Sequence, residues 1–367
     1  MKKQWMAAIA LLVPLWAGAQ ILIGQTAGFS GPVAGGVKEA TDGARLWIDS
    51  VNASGGVLGQ KIELVSLDDG FVPQRAAENA RKLITEQNVA AMFFTRGTPH
   101  NEAILPLLEQ HGVPLIAPST GAMSLHVPVR KYVFNVRAPY QREAEKAVIH
   151  LATVGVTKVA VVHADDAFGA DALEGAKRGF AGAQLQPVAV LKADRSKPDY
   201  SKIIPALVES QPQAVLWLGS GSAVADGVRA LRAAGSRSQV VTLSNNAAGA
   251  FIKSLGEHAR GVIVTQVFPA EHSIAYPLVK DAMKLAKAKG IAALSPAHLE
   301  GFAAARVLVE GLRRAGEKPS RERIRAALES LRNFDIGGLQ ITYTPESHSG
   351  LNFADLSIIG ADGRFRR

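Results

Sequence analysis

The chain has 367 residues, 47% of them apolar and 20% charged, which is material for about two globular domains. It contains no cysteine, so disulfides, thiol nucleophiles and cysteine-based metal sites are excluded. The formal net charge is +9, but Lys and Arg are scattered along helices and turns with few aromatics between them. That is the pattern of a solvated surface, and no nucleic-acid partner is expected.

The first segment reads as an export leader. Lys2 and Lys3 make a positive start, residues 6–16 are apolar, and Ala17-Gly18-Ala19 fits the small-x-small cleavage rule. Cleavage is expected after Ala19, with the mature chain outside the cytoplasm. The apolar run is too short for a comfortable membrane anchor, which takes roughly 20 residues.

Apolar runs and helical patterns then alternate. Strands are expected at 21–25, 61–67, 89–94 and 113–117. Helices are expected between them at 35–52, 73–87 and 99–111, the first with Ala40, Ala44, Trp47 and Val51 at helical spacing. Gly55-Gly56 ends that helix. The alternation restarts with helices at 142–153, 170–180, 200–211 and 224–234. Its strands are at 159–162, 188–191, 214–218, 240–243 and 261–267. Helices at 276–288, 297–315 and 321–331 follow, then strands near 340–343 and 355–359.

This alternation predicts an α/β fold of two doubly wound, parallel-sheet lobes. The three late helices do not make a domain alone. They are expected to rejoin the first lobe, and the last strands the second. The first lobe is then 20–137 plus 268–340, and the second is 138–267 plus 341–367. Three crossings, near Arg137, Phe268 and Gln340, form a three-strand hinge that closes as a rigid-body motion.

Catalytic signatures are missing. There is no phosphate-cradling loop, no nucleophile elbow and no metal-ligand spacing among the nine histidines. His100, His111 and His126 read as surface or loop residues. Asp68-Asp69 and Asp165-Asp166 read as caps of the helices that follow them. No enzyme, cofactor or metal is expected.

What remains is a set of polar turns at the C-terminal ends of strands, where open α/β sheets bind ligands. In the first half these are 28–36, 96–98 and 119–122. In the second they are 164–168, 220–222 and 244–246. Thr98 precedes Pro99 as an N-cap precedes a first-turn proline. A helix N-terminus suits a carboxylate. Arg96 adds a fork of donors able to grip one, the alternative being an ion pair with a neighbouring acid.

Residues 30–84, SGPVAGGVKEATDGARLWIDSVNASGGVLGQKIELVSLDDGFVPQRAAENARKLI, resemble the type I periplasmic binding proteins of the leucine/isoleucine/valine-binding family. Similar pieces are VPLIAPST (113–120), VAVVHADDAFGADALEG (159–175) and LRAAG (231–235). The resemblance covers nearly the whole mature chain. It implies a monomeric solute receptor that delivers its ligand to an ABC permease in the inner membrane, or one that signals through a membrane receptor.

The resemblance places the ligand carboxylate against Arg96-Gly97-Thr98 and Ser119-Thr120-Gly121. It puts a covering aromatic at Phe168 and a second-lobe turn at Ser220-Gly221. Two positions depart from the family pattern. The acid that would hold an ammonium falls on Asn245 or Asn246, and a first-lobe aromatic falls on Gly36, which implies a roomier pocket. An amine-free carboxylate then competes with an amino acid as ligand.

Overall fold

The structure, a computed structural model, describes residues 20–367, so the expected leader at 1–19 lies outside the described residues. The first half runs β1 (Gln20–Ala27), α1 (Ala34–Ala53), β2 (Lys61–Asp68), α2 (Pro73–Thr85), β3 (Ala91–Phe93), α3 (Thr98–His111), β4 (Leu115–Ile116) and β5 (Val133–Phe134). Its five strands lie in the order β2-β1-β3-β4-β5, all parallel.

The second half runs α4 (Tyr140–Thr153), β6 (Val159–Ala164), α5 (Ala167–Gly182), β7 (Ala189–Ala193), α6 (Tyr200–Glu209), β8 (Ala214–Leu218), α7 (Gly221–Ala233), β9 (Gln239–Thr242), α8 (Gly249–Leu255) and β10 (Ile263–Gln266). Then come α9 (Pro277–Ala288), α10 (Pro296–Ala315), α11 (Arg321–Glu329), β11 (Phe334–Asp335), β12 (Gln340–Ile341), β13 (Asp355–Ile359) and β14 (Phe365–Arg366). The second sheet has the order β14-β13-β10-β9-β8-β6-β7, with β13 and β14 antiparallel.

Every residue of β6 (VAVVHA) and β8 (AVLWL) is buried. Strands covered on both faces read as continuous apolar runs, and here each sheet carries helices on both sides. In the first lobe, α9, α10 and α11 pack on the face that also carries α1. Helices α1 and α10 cross closely because a Cβ at Gly43 would meet the His298 carbonyl at 2.0 Å, and one at Gly301 the Ala40 carbonyl at 1.8 Å.

The chain passes between lobes at 138–140, at 266–267 and at 351–355. The third crossing falls after Leu351 rather than near Gln340. Strand β12 pairs with β11 in a hairpin of the first lobe. Beyond it the Tyr343 hydroxyl donates to the Asn135 carbonyl at 2.7 Å, and His348 stacks on Phe134 at 4.1 Å. Leu351 N then donates to Val136 O at 2.9 Å. Residues 341–351 are therefore tied to the first lobe.

Candidate functional site

Turns at the C-terminal ends of both sheets face each other. After β3 the chain reaches Arg96, then Gly97 at φ +96°, a conformation that favours glycine. Gly97 is the N-cap of α3, and Thr98 is its first helical residue rather than the cap. Asn101 Nδ2 secures the turn through Gly97 O at 2.7 Å.

Arg96 crosses the cleft. Its Nη1 donates to Ser119 Oγ at 3.0 Å and its Nη2 to the Asn245 carbonyl of the second lobe at 2.7 Å. Ser119 in turn donates to Glu300 Oε1 at 2.8 Å. Among the described residues, no carboxylate lies within salt-bridge distance of Arg96. Burial pushes its guanidinium below the ordinary arginine range and, with the repulsion of Arg137 and Arg195, outweighs the attraction of Glu300.

The other two cleft arginines are compensated. Arg137 binds Glu143 at 2.5 Å, lies 3.6 Å from Glu300, and donates to Ser244 Oγ at 2.6 Å. Burial opposes its charge, but Glu300 and Glu143 outweigh burial and hold it protonated. Glu143 also accepts from Ser244 N and from the Thr265 hydroxyl. Arg195 pairs with Asp166 at 2.9 Å.

A cavity of about 200 Å³ lies beside Arg96. Pro32, Val33, Gly35 and Gly36 complete its first-lobe wall. Gly221, Ser222, Asn245, Asn246, Ala248, Ala250, Phe251 and Ser254 form the opposite wall. The lining includes one charged side chain, Arg96, and no Asp or Glu. Pockets for drug-sized ligands run to roughly 300–1,000 Å³, so this one suits a smaller molecule. Gly36 is itself part of that lining. A Cβ at Gly35 would meet Ala250 Cβ at 2.3 Å and one at Gly36 would meet Ala248 Cβ at 3.7 Å, because the second lobe closes onto that turn.

Of the residues expected at the site, Arg96, Gly221, Asn245 and Asn246 line this cavity, and Ser119 touches Arg96. Asn245 Nδ2 donates to Gly219 O and Ser220 Oγ, leaving its buried Oδ1 without a donor. Asn246 is spent on the backbone of Gly219 and Gly221 and on Thr242. The Thr98 and Thr120 hydroxyls bond each other at 2.8 Å, outside the cavity lining. Gly121 is wedged at the first crossing, where a Cβ would meet Ala138 O at 2.6 Å. Phe168 is fully buried against Tyr140 and Arg195 and does not reach the cavity.

Other expectations shift as well. His100 and His126 are buried, not superficial, and burial lowers each to about 4. Asp166 caps α5 through Gly169 N at 3.0 Å, but Asp68 accepts from Ser30 N after β1 and from Gly70 N, and Asp69 from Phe71 N, instead of capping α2. Arg195 and the Arg137–Glu143–Glu300 cluster were not anticipated. Arg195 sits in the turn after β7, a strand end like the others, and that position was its only signal in the sequence.

Across the seam, Ser222 N donates to Pro32 O at 3.0 Å. Glu39 of α1 accepts from Gly249 N at 2.9 Å and Ala250 N at 2.7 Å. Met123 N donates to Asp171 Oδ1 at 3.0 Å. The lobes are therefore drawn together around the cavity.

A family model described as periplasmic binding protein matches residues 20–356. The chain is 25% identical over 333 residues to Leu/Ile/Val-binding protein homolog 3 of Brucella melitensis, covering 89% of this chain and 88% of that one. It resembles a substrate-binding periplasmic protein from Ralstonia solanacearum at 31% identity and a TM-score of 0.87, covering 94% and 99% of the two chains. A possible leucine/isoleucine/valine-binding protein from Rhodopirellula baltica superposes at a TM-score of 0.88 with 27% identity, covering 95% and 97%. With two parallel-sheet lobes around a polar cavity and a family match over nearly all its length, the chain belongs to the periplasmic binding proteins and is a solute-binding protein, not an enzyme.

Proposed function

We propose that the protein captures a small carboxylate in the cleft, on Arg96, and delivers it from the periplasm to an ABC permease of the inner membrane. The carrying observation is the cavity lining, in which Arg96 is the one charged side chain and has no carboxylate partner of its own. A buried guanidinium short of an anion is completed by a ligand that brings one. The relatives' names favour branched-chain amino acids as the solute class.

The residues of this cavity favour instead a carboxylate of similar shape without an α-ammonium. No acid lines the cavity, and Asn246 is already committed to its neighbours. The free Asn245 Oδ1 is a neutral acceptor, which suits a hydroxyl and gives an ammonium no counter-charge. Closure follows as a population shift: a ligand held by Arg96 and facing Asn245 and Ser222 binds the closed arrangement better than the open one.

Calorimetry at pH 7 with leucine, 4-methyl-2-oxopentanoate and benzoate tests this reading. Micromolar binding of an amine-free acid is expected, with leucine weaker. Tight leucine binding without any response to the other two would remove the amine-free assignment. Silence across a broader carboxylate panel would remove the carboxylate itself.

A further inference from the structure

We infer that Arg195 sets the specificity of the cleft by occupying, from within the chain, a slot that would otherwise hold a ligand's cationic group. Arg195 leaves the turn after β7, whose backbone is pinned by Asp194 Oδ1 accepting from Ser196 N at 2.8 Å and Lys197 N at 2.7 Å. Its guanidinium lies 4.8 Å from the Phe71 ring of the first lobe and 4.5 Å from the Phe168 ring of the second. Nη1 is 2.9 Å from Asp166 Oδ2, and the side chain is 11% exposed. Two aromatic faces and a carboxylate are the chemistry that retains an ammonium or guanidinium.

The walls of this slot stand without Arg195. Asp166 is held by capping α5, Phe168 packs edge-on against Tyr140 at 4.9 Å, and Phe71 stacks on His100 at 4.5 Å. The slot is also next to the cavity. Arg195 Nη2 donates to Ser220 Oγ at 3.1 Å, Ser220 accepts from Asn245 Nδ2 at 3.1 Å, and Asn245 lines the cavity.

A tethered cation acts at an effective concentration of roughly millimolar, above what a scarce free solute reaches. A ligand with its carboxylate on Arg96 therefore finds the neighbouring cation slot filled, and its own ammonium meets Arg195 as a like charge. This assignment rests on the amine-free reading of the ligand, but one arm of its test does not use that ligand.

The first arm is thermal unfolding of the wild type, Arg195→Ala and Arg195→Met with millimolar methylguanidinium. Both variants should gain about 2 °C or more from the added cation, and the wild type should not. Equal responses in all three proteins overturn the assignment. The second arm compares leucine with 4-methyl-2-oxopentanoate by calorimetry. The preference for the oxo acid should fall about tenfold in Arg195→Ala and persist in Arg195→Lys. A preference unchanged in Arg195→Ala counts against Arg195. A wild type that prefers leucine defeats the amine-free reading, while the methylguanidinium arm still decides the role of Arg195.

Discussion

Arg96 was readable from the sequence because it stands in a polar turn between an apolar strand and a helix opened by Thr98-Pro99. Its lack of an acidic partner was not, since Ser119, 23 positions on, takes its Nη1, and Glu300 behind that serine pairs with Arg137 instead. Arg96→Ala should weaken ligand binding by about 1.5–3 kcal/mol, the range for a hydrogen bond to a charged group. Arg96→Lys should recover only part of that, because a point ammonium cannot span Ser119 and Asn245 as the planar fork does. Calorimetry on both variants checks this, and an unaltered affinity in Arg96→Ala would take the residue out of the site. Phe168 shows the opposite kind of mismatch. Its position was identified from the resemblance, but its ring is spent on Arg195 and Tyr140, contacts that no local pattern announces.

Among the elements, the alternation of buried strands and amphipathic helices was legible because periodicity is local, and the parallel strands of both sheets follow from it, though not the antiparallel β13 and β14. The strand expected near 340–343 falls to the second lobe on sequence alone, whereas β12 pairs with β11 in the first, because a short strand carries no mark of the lobe it joins. The tie through Tyr343 to Asn135 is a contact 208 positions apart. At the start of α7, Gly221 has φ +56°, and a Cβ there would sit 1.9 Å from Pro32 O. Gly221→Ala should therefore hold the second lobe away and break the Ser222–Pro32 hydrogen bond. Ligand affinity should fall roughly tenfold or more, about 1.4 kcal/mol, while urea unfolding changes far less. Small-angle scattering with ligand should show a more extended particle than the wild type, and identical profiles would rule out a closure defect.

For the molecule as a whole, buried titratable groups set the response to acid. His100 and His126 are each lowered from 6.5 to about 4 by burial, so the unfolded chain takes up their protons first. Their contribution is complete above pH 6.5 and is lost as pH falls towards 4. Each displacement corresponds to about 3 kcal/mol at most. Asp69 works the other way: burial raises it from 3.8 to about 6, so the folded state gains as this carboxyl protonates below pH 6. His298 is lowered like the two histidines and Asp171 and Glu271 are raised like Asp69, each by burial, so the response to acid is the histidine loss less the carboxyl gain. Urea midpoints at pH 7 and 4.5 should show it, and His126→Gln should lose less between the two pH values than the wild type. Equal losses would mean that His126 does not drive the acid response.

The lateness of the third crossing also orders events in time. The first lobe is unfinished until Leu351 docks on Val136, and the second sheet lacks β13 and β14 until residues 355–366 are present. A chain emerging from its N-terminus can therefore seal neither lobe before the segment 351–367 arrives. Until then β10 presents an unpaired edge, a template for pairing with other chains. Quality control in this architecture falls on the C-terminal segment, and early termination anywhere before 355 leaves an aggregation-prone edge, not a smaller working receptor.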